Sequence, residues 1–220
     1  MLRHLFLLVI IAAFNSCSCT QSHGRPFQKD IDDFKKEDAR ISPPPNAILF
    51  IGSSSFTKWK DVQDYFPGRV IINRGFGGAT FEDVIAYANE IILSYKPKQV
   101  VIYCGDNDIA AGVQAPEVLQ RFVDLFKIIR SVLPNTNIVF VSIKPSPARV
   151  QLMPVAEEAN VMIRQFLSTY PETAYVDVFH PMLDKKGQPR AELFGEDSLH
   201  MTAAGYKVWQ NAINPALLRQ

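Results

Sequence analysis

Past residue 46 the chain alternates short, almost wholly apolar runs with longer stretches in which apolar residues return every three or four positions. The runs are residues 47–51, 69–72, 99–103, 137–143 and 174–178. Each has the length of a β-strand, and a strand without polar alternation is one buried on both faces. Residues 80–95, 115–132, 155–170 and 202–213 carry the helical period instead. Their ends are marked. Thr80 stands where an N-cap belongs, with Glu82 and Asp83 in the following turn. Pro116 opens the second helix, Pro134 ends it, and Asn214-Pro215 stops the last. Buried strands separated by helices belong to a parallel sheet covered on both sides. The pattern predicts an α/β fold, a three-layer doubly wound sandwich with a parallel sheet of about five strands.

The first 45 residues are patterned differently. Arg3 and His4 precede an apolar run at residues 5–14, and small residues follow at Ser16 and Ser18. A positive start, about ten apolar residues and a small-residue exit describe an export signal, the run falling short of the roughly 20 residues of a membrane span. Phe14-Asn15-Ser16-Cys17 resembles a loose bacterial lipobox, with Phe14 where Leu or a similar residue is usual. Cys17 is then the expected acylated first residue of the mature chain, and Cys19 the weaker candidate. A polar tether follows over residues 18–30, and Phe27, Ile31 and Phe34 mark a short amphipathic helix within 27–40. Ser42-Pro43-Pro44-Pro45 stops that helix, because successive prolines donate no backbone hydrogen bonds. The expected division is a signal peptide at 1–16, a tether with a short helix at 17–45 and the main domain at 46–220. The expected destination is the periplasm or surface of a bacterium, with membrane attachment by the lipid anchor alone; soluble secretion is the alternative.

Composition narrows the classes. Of 220 residues, 47% are hydrophobic and 20% charged, the balance of a globular domain. Lys+Arg of 23 against Asp+Glu of 22 leaves a formal charge of +1 with no basic stripe, so nothing supports nucleic-acid binding. Three cysteines (Cys17, Cys19, Cys104) do not make a disulfide framework. The histidines, His4, His23, His180 and His200, share no ligand-like spacing with them, so no metal is expected. Cys104, at the end of an apolar strand, reads as a buried thiol.

Chemistry gathers at the strand ends, the side on which doubly wound sheets bind ligands. The first strand runs into Gly52-Ser53-Ser54-Ser55, the second into Asn73-Arg74-Gly75-Phe76-Gly77-Gly78-Ala79-Thr80, and the third into Cys104-Gly105-Asp106-Asn107-Asp108. A serine in a sharp strand-to-helix turn becomes a nucleophile only when a base takes its proton. The pair Asp197/His200 has the spacing that lets a carboxylate hold one imidazole nitrogen while the other faces a serine. Asp177/His180 has the same spacing, so spacing alone does not choose the base, and composition does not choose among the three serines. A backbone N–H at Gly78 and the side-chain amide of Asn107 are candidate donors to an oxyanion. Phe56 and Trp59 read as packing for the first helix, with Trp59 a second candidate for the rim of an acyl pocket. Lys144 and Arg149, after the fourth strand, stand where an anionic or glycan substrate would pass.

Taken in order, these blocks resemble the SGNH, or GDSL, hydrolase family over residues 47–213. The resemblance is nearest to the branch of platelet-activating-factor acetylhydrolase subunits and bacterial acyl-esterases. It implies a flavodoxin-like fold and assigns Ser54 as nucleophile, His200 as base, Asp197 as its orienting partner, and Ser54, Gly78 and Asn107 as the oxyanion hole. Ser53 stands where the family usually has Asp in its G-D-S signature. The implied activity is a cofactor-free serine esterase acting on short acyl groups, acetyl foremost, of small-molecule or glycan esters. A lysophospholipase or thioesterase using the same site, or a non-catalytic glycan-binding lipoprotein, are the alternatives. The oligomeric state is not legible in the sequence.

Overall fold

A computed structural model describes residues 25–219. The signal sequence, Cys17, Cys19, His4 and His23 lie outside the described residues. Along the chain come α1 (Gln28–Arg40), β1 (Ile48–Gly52), α2 (Ser54–Thr57), α3 (Val62–Tyr65), β2 (Ile71–Gly75), α4 (Phe81–Ala86), α5 (Ala88–Ile91) and β3 (Gln99–Tyr103). They are followed by α6 (Asp106–Ala110), α7 (Ala115–Val132), β4 (Asn137–Val141), α8 (Met153–Leu167), β5 (Thr173–Val176) and α9 (Ala203–Ile213). The strands form one sheet in the order β2-β1-β3-β4-β5, every neighbouring pair parallel. This is the doubly wound sandwich that the apolar runs predict.

β1 and β3 are buried along their whole length and β4 beyond Asn137, yet their side chains still alternate between two cores. Leu49, Ile51, Val100, Ile102, Ile138 and Phe140 enter the core shared with α1, α4, α5, α7 and α8. Ile48, Phe50, Val101, Tyr103, Val139 and Val141 enter the core shared with α2, α3 and α9. The pleat thus divides one continuous apolar run between two helical layers. Sequence order reverses at β1, which lies between β2 and β3. Register sets Gly52 abreast of Gly75 on one side and of Tyr103 on the other. Three loops therefore leave the sheet at one level, around the crevice where doubly wound sheets bind ligands.

Three stretches differ from expectation. The second strand, expected at 69–72, lies at Ile71–Gly75 at the sheet edge, is only partly buried and carries Asn73 and Arg74. Residues 80–95 are not one helix. Thr80 and Asp83 form the expected capping box, but the helix breaks at Tyr87 (φ −111°, ψ 9°), resumes as α5, and ends in a 3₁₀ turn at Leu93–Tyr95. Tyr87 is anchored from outside the helix: its hydroxyl donates to the Pro26 carbonyl at 2.6 Å, and the Arg25 guanidinium lies 4.0 Å from its ring centre. Those tertiary bonds override a local helical preference.

The short helix before the prolines is α1, and it is docked on the α/β unit. Ile31 is 1% exposed, and the ring of Phe27 meets Phe76 edge-on at 5.2 Å. Across the same contact Arg74, buried, donates to Glu37 at 3.0 Å, to Asp38, and to the Tyr95 hydroxyl at 2.7 Å. Burial and the Asp38 bond push the Tyr95 phenol up to about 12. No helix of the described residues is long and apolar enough to cross a membrane.

Candidate active site

The turn after β1 is built around Gly52. Its φ of 126° lies in the left-handed region, and a Cβ there would sit 1.9 Å from the Tyr103 carbonyl oxygen, so only glycine fits. That carbonyl accepts instead from the Ser53 N–H at 2.9 Å, which ties the turn to β3. The chain then enters α2 at once. Ser54 is its first residue, so its N–H has no carbonyl in a preceding turn to bond.

The three serines point in different directions. Ser53 and Ser55 are fully buried, whereas Ser54 is partly exposed and its Oγ lies 2.9 Å from His200 Nε2. On the far side of the ring, His200 Nδ1 lies 2.6 Å from Asp197 Oδ2. A carboxylate only accepts, so Nδ1 carries the imidazole proton and Nε2 is the acceptor for the Ser54 hydroxyl. Asp197 Oδ1 accepts from the N–H groups of Leu199 (3.0 Å) and His200 (2.9 Å). The His200 ring bond, and then these main-chain donors, hold the Asp197 carboxyl well below the usual carboxylate range. Residues 195–200 form a closed loop, with the Gly195 N–H donating to the His200 carbonyl at 2.8 Å and Ser198 in the left-handed region at φ 54°.

Asp177 and His180 have the same local geometry. Asp177 Oδ1 accepts from Phe179 and His180 N–H groups, and its Oδ2 lies 2.7 Å from His180 Nδ1. The difference lies beyond the ring. His180 Nε2 faces Glu157 at 3.6 Å, and its side chain is 63% exposed. The structure brings His200, and not His180, to Ser54.

Gly78 is exposed on the loop after β2 with φ 88°. Asn107, on the first turn of α6, is partly exposed. Its Nδ2 donates to Ser53 Oγ at 2.7 Å and to the Ala79 carbonyl at 3.0 Å. Ser53, at the position of the family's usual Asp, is therefore bonded to the side chain expected to serve as an oxyanion donor. Asp108 braces the same region from below: its buried carboxylate accepts from the Phe81 N–H and pairs with Arg121 at 3.0 Å. Burial raises its pKa, and the Arg121 bond opposes that rise.

Phe56 and Trp59 pack against Phe50 in the core, and Trp59 is 0% exposed, so it does not rim a pocket. Cys104 is buried, which pushes its thiol well above its ordinary value. Lys144, expected beside a substrate, is buried instead, and Arg149 is partly exposed. The Lys144 side chain is 1% exposed, 3.5 Å from Asp106 and 3.4 Å from the Tyr103 hydroxyl, and burial lowers its pKa. Arg149 turns inward onto Asp106 and Asn107. A buried carboxylate at Asp106 attracts both cations, an attraction that no local pattern around residues 144–149 reveals.

Comparison with known proteins bears on the fold and the family. No curated protein matches the sequence. Among solved structures, a Streptococcus pneumonia protein named provisionally after platelet activating factor has a TM-score of 0.76 at 24% identity, covering 88% of this chain and 94% of that one. A GDSL-like lipase from Bacteroides thetaiotaomicron has a TM-score of 0.71 at 18% identity, covering 84% and 96%. A catalytic mutant of an acetylxylan esterase from Geobacillus stearothermophilus has a TM-score of 0.62 at 16% identity, covering 76% and 92%. At such identities the likeness is one of fold. Sequence itself goes further: residues 51–208 match the GDSL-like Lipase/Acylhydrolase family, and the chain belongs to that family of ester-bond hydrolases.

Proposed function

We propose that the chain is a serine esterase in which Ser54 is the nucleophile, His200 the general base and Asp197 its orienting partner. The observation that carries this reading is the pair of contacts on the two nitrogens of one imidazole, 2.9 Å to Ser54 Oγ and 2.6 Å to Asp197 Oδ2. Ser54 Oγ attacks the ester carbonyl while Nε2 takes its proton. The resulting imidazolium faces an ionised Asp197 and returns the proton to the leaving alkoxide. Water, deprotonated by the same imidazole, then releases the acid from the acyl-serine. The oxyanion accepts from the N–H groups of Ser54 and Gly78 and from Asn107 Nδ2, whose hydrogen toward Ser53 Oγ is shared with it as charge develops.

The substrate proposed is a short acyl ester, acetyl foremost, on a carbohydrate or similar alcohol. Its support is the fold shared with an acetylxylan esterase. An ester panel graded by acyl length and including acetylated xylo-oligosaccharides, run on protein retaining residues 25–220, tests this. Acetyl esters should be turned over fastest; a preference for long acyl chains or thioesters would replace the proposed substrate. Export with acylation at Cys17 is proposed on the sequence alone. Mass spectrometry of the mature N-terminus tests it, and an unmodified start elsewhere overturns it.

A further inference from the structure

We infer that Arg149 is a positioning residue for Asn107, holding its amide in the one orientation that offers N–H groups to the site. The inference rests on the oxyanion reading above. Arg149 Nη2 donates to Asn107 Oδ1 at 3.1 Å, and Nη1 donates to the main-chain carbonyl of Asp106 at 2.8 Å. Nη1 also lies 3.1 Å from the Asp106 carboxylate. A guanidinium has donors only, so it selects Oδ1; the Ala79 carbonyl accepts only, so it selects Nδ2. Turning the amide over would set NH₂ against a cation and oxygen against oxygen. With the orientation fixed, donation into Oδ1 also polarises the amide and strengthens Nδ2 as a donor.

The segment that carries Arg149 reaches the other half of the site as well. The Ala148 N–H donates to the Ser198 carbonyl at 3.0 Å, between Asp197 and His200. Arg149 itself leaves the helical region (φ −128°, ψ 28°), a kink inside the 3₁₀ turn of residues 147–152. Its side chain is 22% exposed while the Asp106 carboxylate it pairs with is 6% exposed, so the guanidinium is seated between the surface and the base of Asn107. One loop therefore sets the oxyanion donor in register with the acid–base pair.

The test is a double-mutant cycle on hydrolysis of p-nitrophenyl acetate, using Arg149→Met, Asn107→Ala and the double variant, with Arg149→Lys as the conservative change. Arg149→Met should lower kcat about 10–100-fold, less than removal of the donor itself, with KM within about threefold. The pH dependence of the rate should keep its midpoint, since His200 is untouched. In the Asn107→Ala background the same substitution should cost less than about threefold, because the side chain it positions is gone. Arg149→Lys should recover part of kcat by restoring one donor, and it carries the cycle in place of Arg149→Met if that variant does not fold. Equal losses in both backgrounds, a change confined to KM, or wild-type kcat in both Arg149 variants would overturn the inference alone. Wild-type kcat in Asn107→Ala would remove the oxyanion reading and this inference with it.

Discussion

At the scale of single residues, the site depends on what stands opposite each side chain. Two aspartate–histidine pairs share their spacing and even their hydrogen bonds, and only the partner of Nε2, Ser54 for one and Glu157 for the other, separates them. That partner is 146 positions away along the chain from His200, so the choice was not readable from local pattern and came from the family resemblance. Ser54, Asn107, Asp197 and His200 were legible as candidates because each lies in a short motif at a strand end or loop. Arg149 was visible only as a cation near the site, since the direction of a long side chain is set by the carboxylate it meets. Asn107→Ala should lower kcat by about 10²–10³ with a smaller change in KM, read by steady-state kinetics; near-full kcat in a folded variant contradicts the role. Ser53→Ala, which removes one of the bonds holding Asn107, should cost less than Asn107→Ala. Asp197 supplies a pH prediction. Its carboxyl titrates below the ordinary 3.8, so it stabilises the fold above that value and the contribution is lost as pH falls through the lower, folded value. The stability advantage of the wild type over Asp197→Asn, measured by urea unfolding, should therefore hold at neutral pH and shrink below about pH 4. An advantage that grew with acidification below that point would contradict the sign.

At the scale of elements, the central strands were the most legible parts, because burial on both faces writes a continuous apolar run; the edge strand β2, with Asn73 and Arg74, was displaced from its expected range. The helix start at Thr80 was equally plain; Thr202 caps α9 in the same way, each hydroxyl accepting from the N–H three residues on. The break at Tyr87 was hidden, since its cause lies in Arg25 and Pro26. So was the docking of α1, whose amphipathic stripe predicts a helix but not the surface it covers. Docking has consequences for the site, because the Phe27 ring lies within 3.9 Å of where a Cβ on Gly78 would stand. A chain beginning at Ser42 would expose the site of Ile31 and Phe27 and leave buried Arg74 without Glu37 and Asp38. Losing packing of that kind costs about 2–5 kcal/mol for a single large-to-small change at a buried aliphatic residue such as Ile31→Ala. The shortened chain should melt at lower temperature than one retaining residues 25–220 and should hydrolyse p-nitrophenyl acetate more slowly. Equal melting temperature and equal kcat would show α1 to be an appendage.

At the scale of the whole molecule, the order β2-β1-β3-β4-β5 and the alignment of Gly52, Gly75 and Tyr103 set three loops at one level, where the Ser53-Ser54 turn meets Asn107 and His200. The turn at Gly52 then swings Ser54 toward the loop that carries His200. The fold class was legible because alternation of buried runs and helices admits few topologies. The placement of adjacent serines was not, because a register shift of one residue exchanges a core hydroxyl for a reactive one. The most direct measurement is therefore the site of covalent modification. The protein is treated with a serine-reactive phosphonate, digested, and the modified residue identified by fragmentation mass spectrometry. The label should fall on Ser54, vanish in Ser54→Ala, form far more slowly in His200→Ala and form at the normal rate in His180→Ala. Labelling of wild-type protein at Ser53 or Ser55, or loss of labelling in His180→Ala with its retention in His200→Ala, would contradict the account.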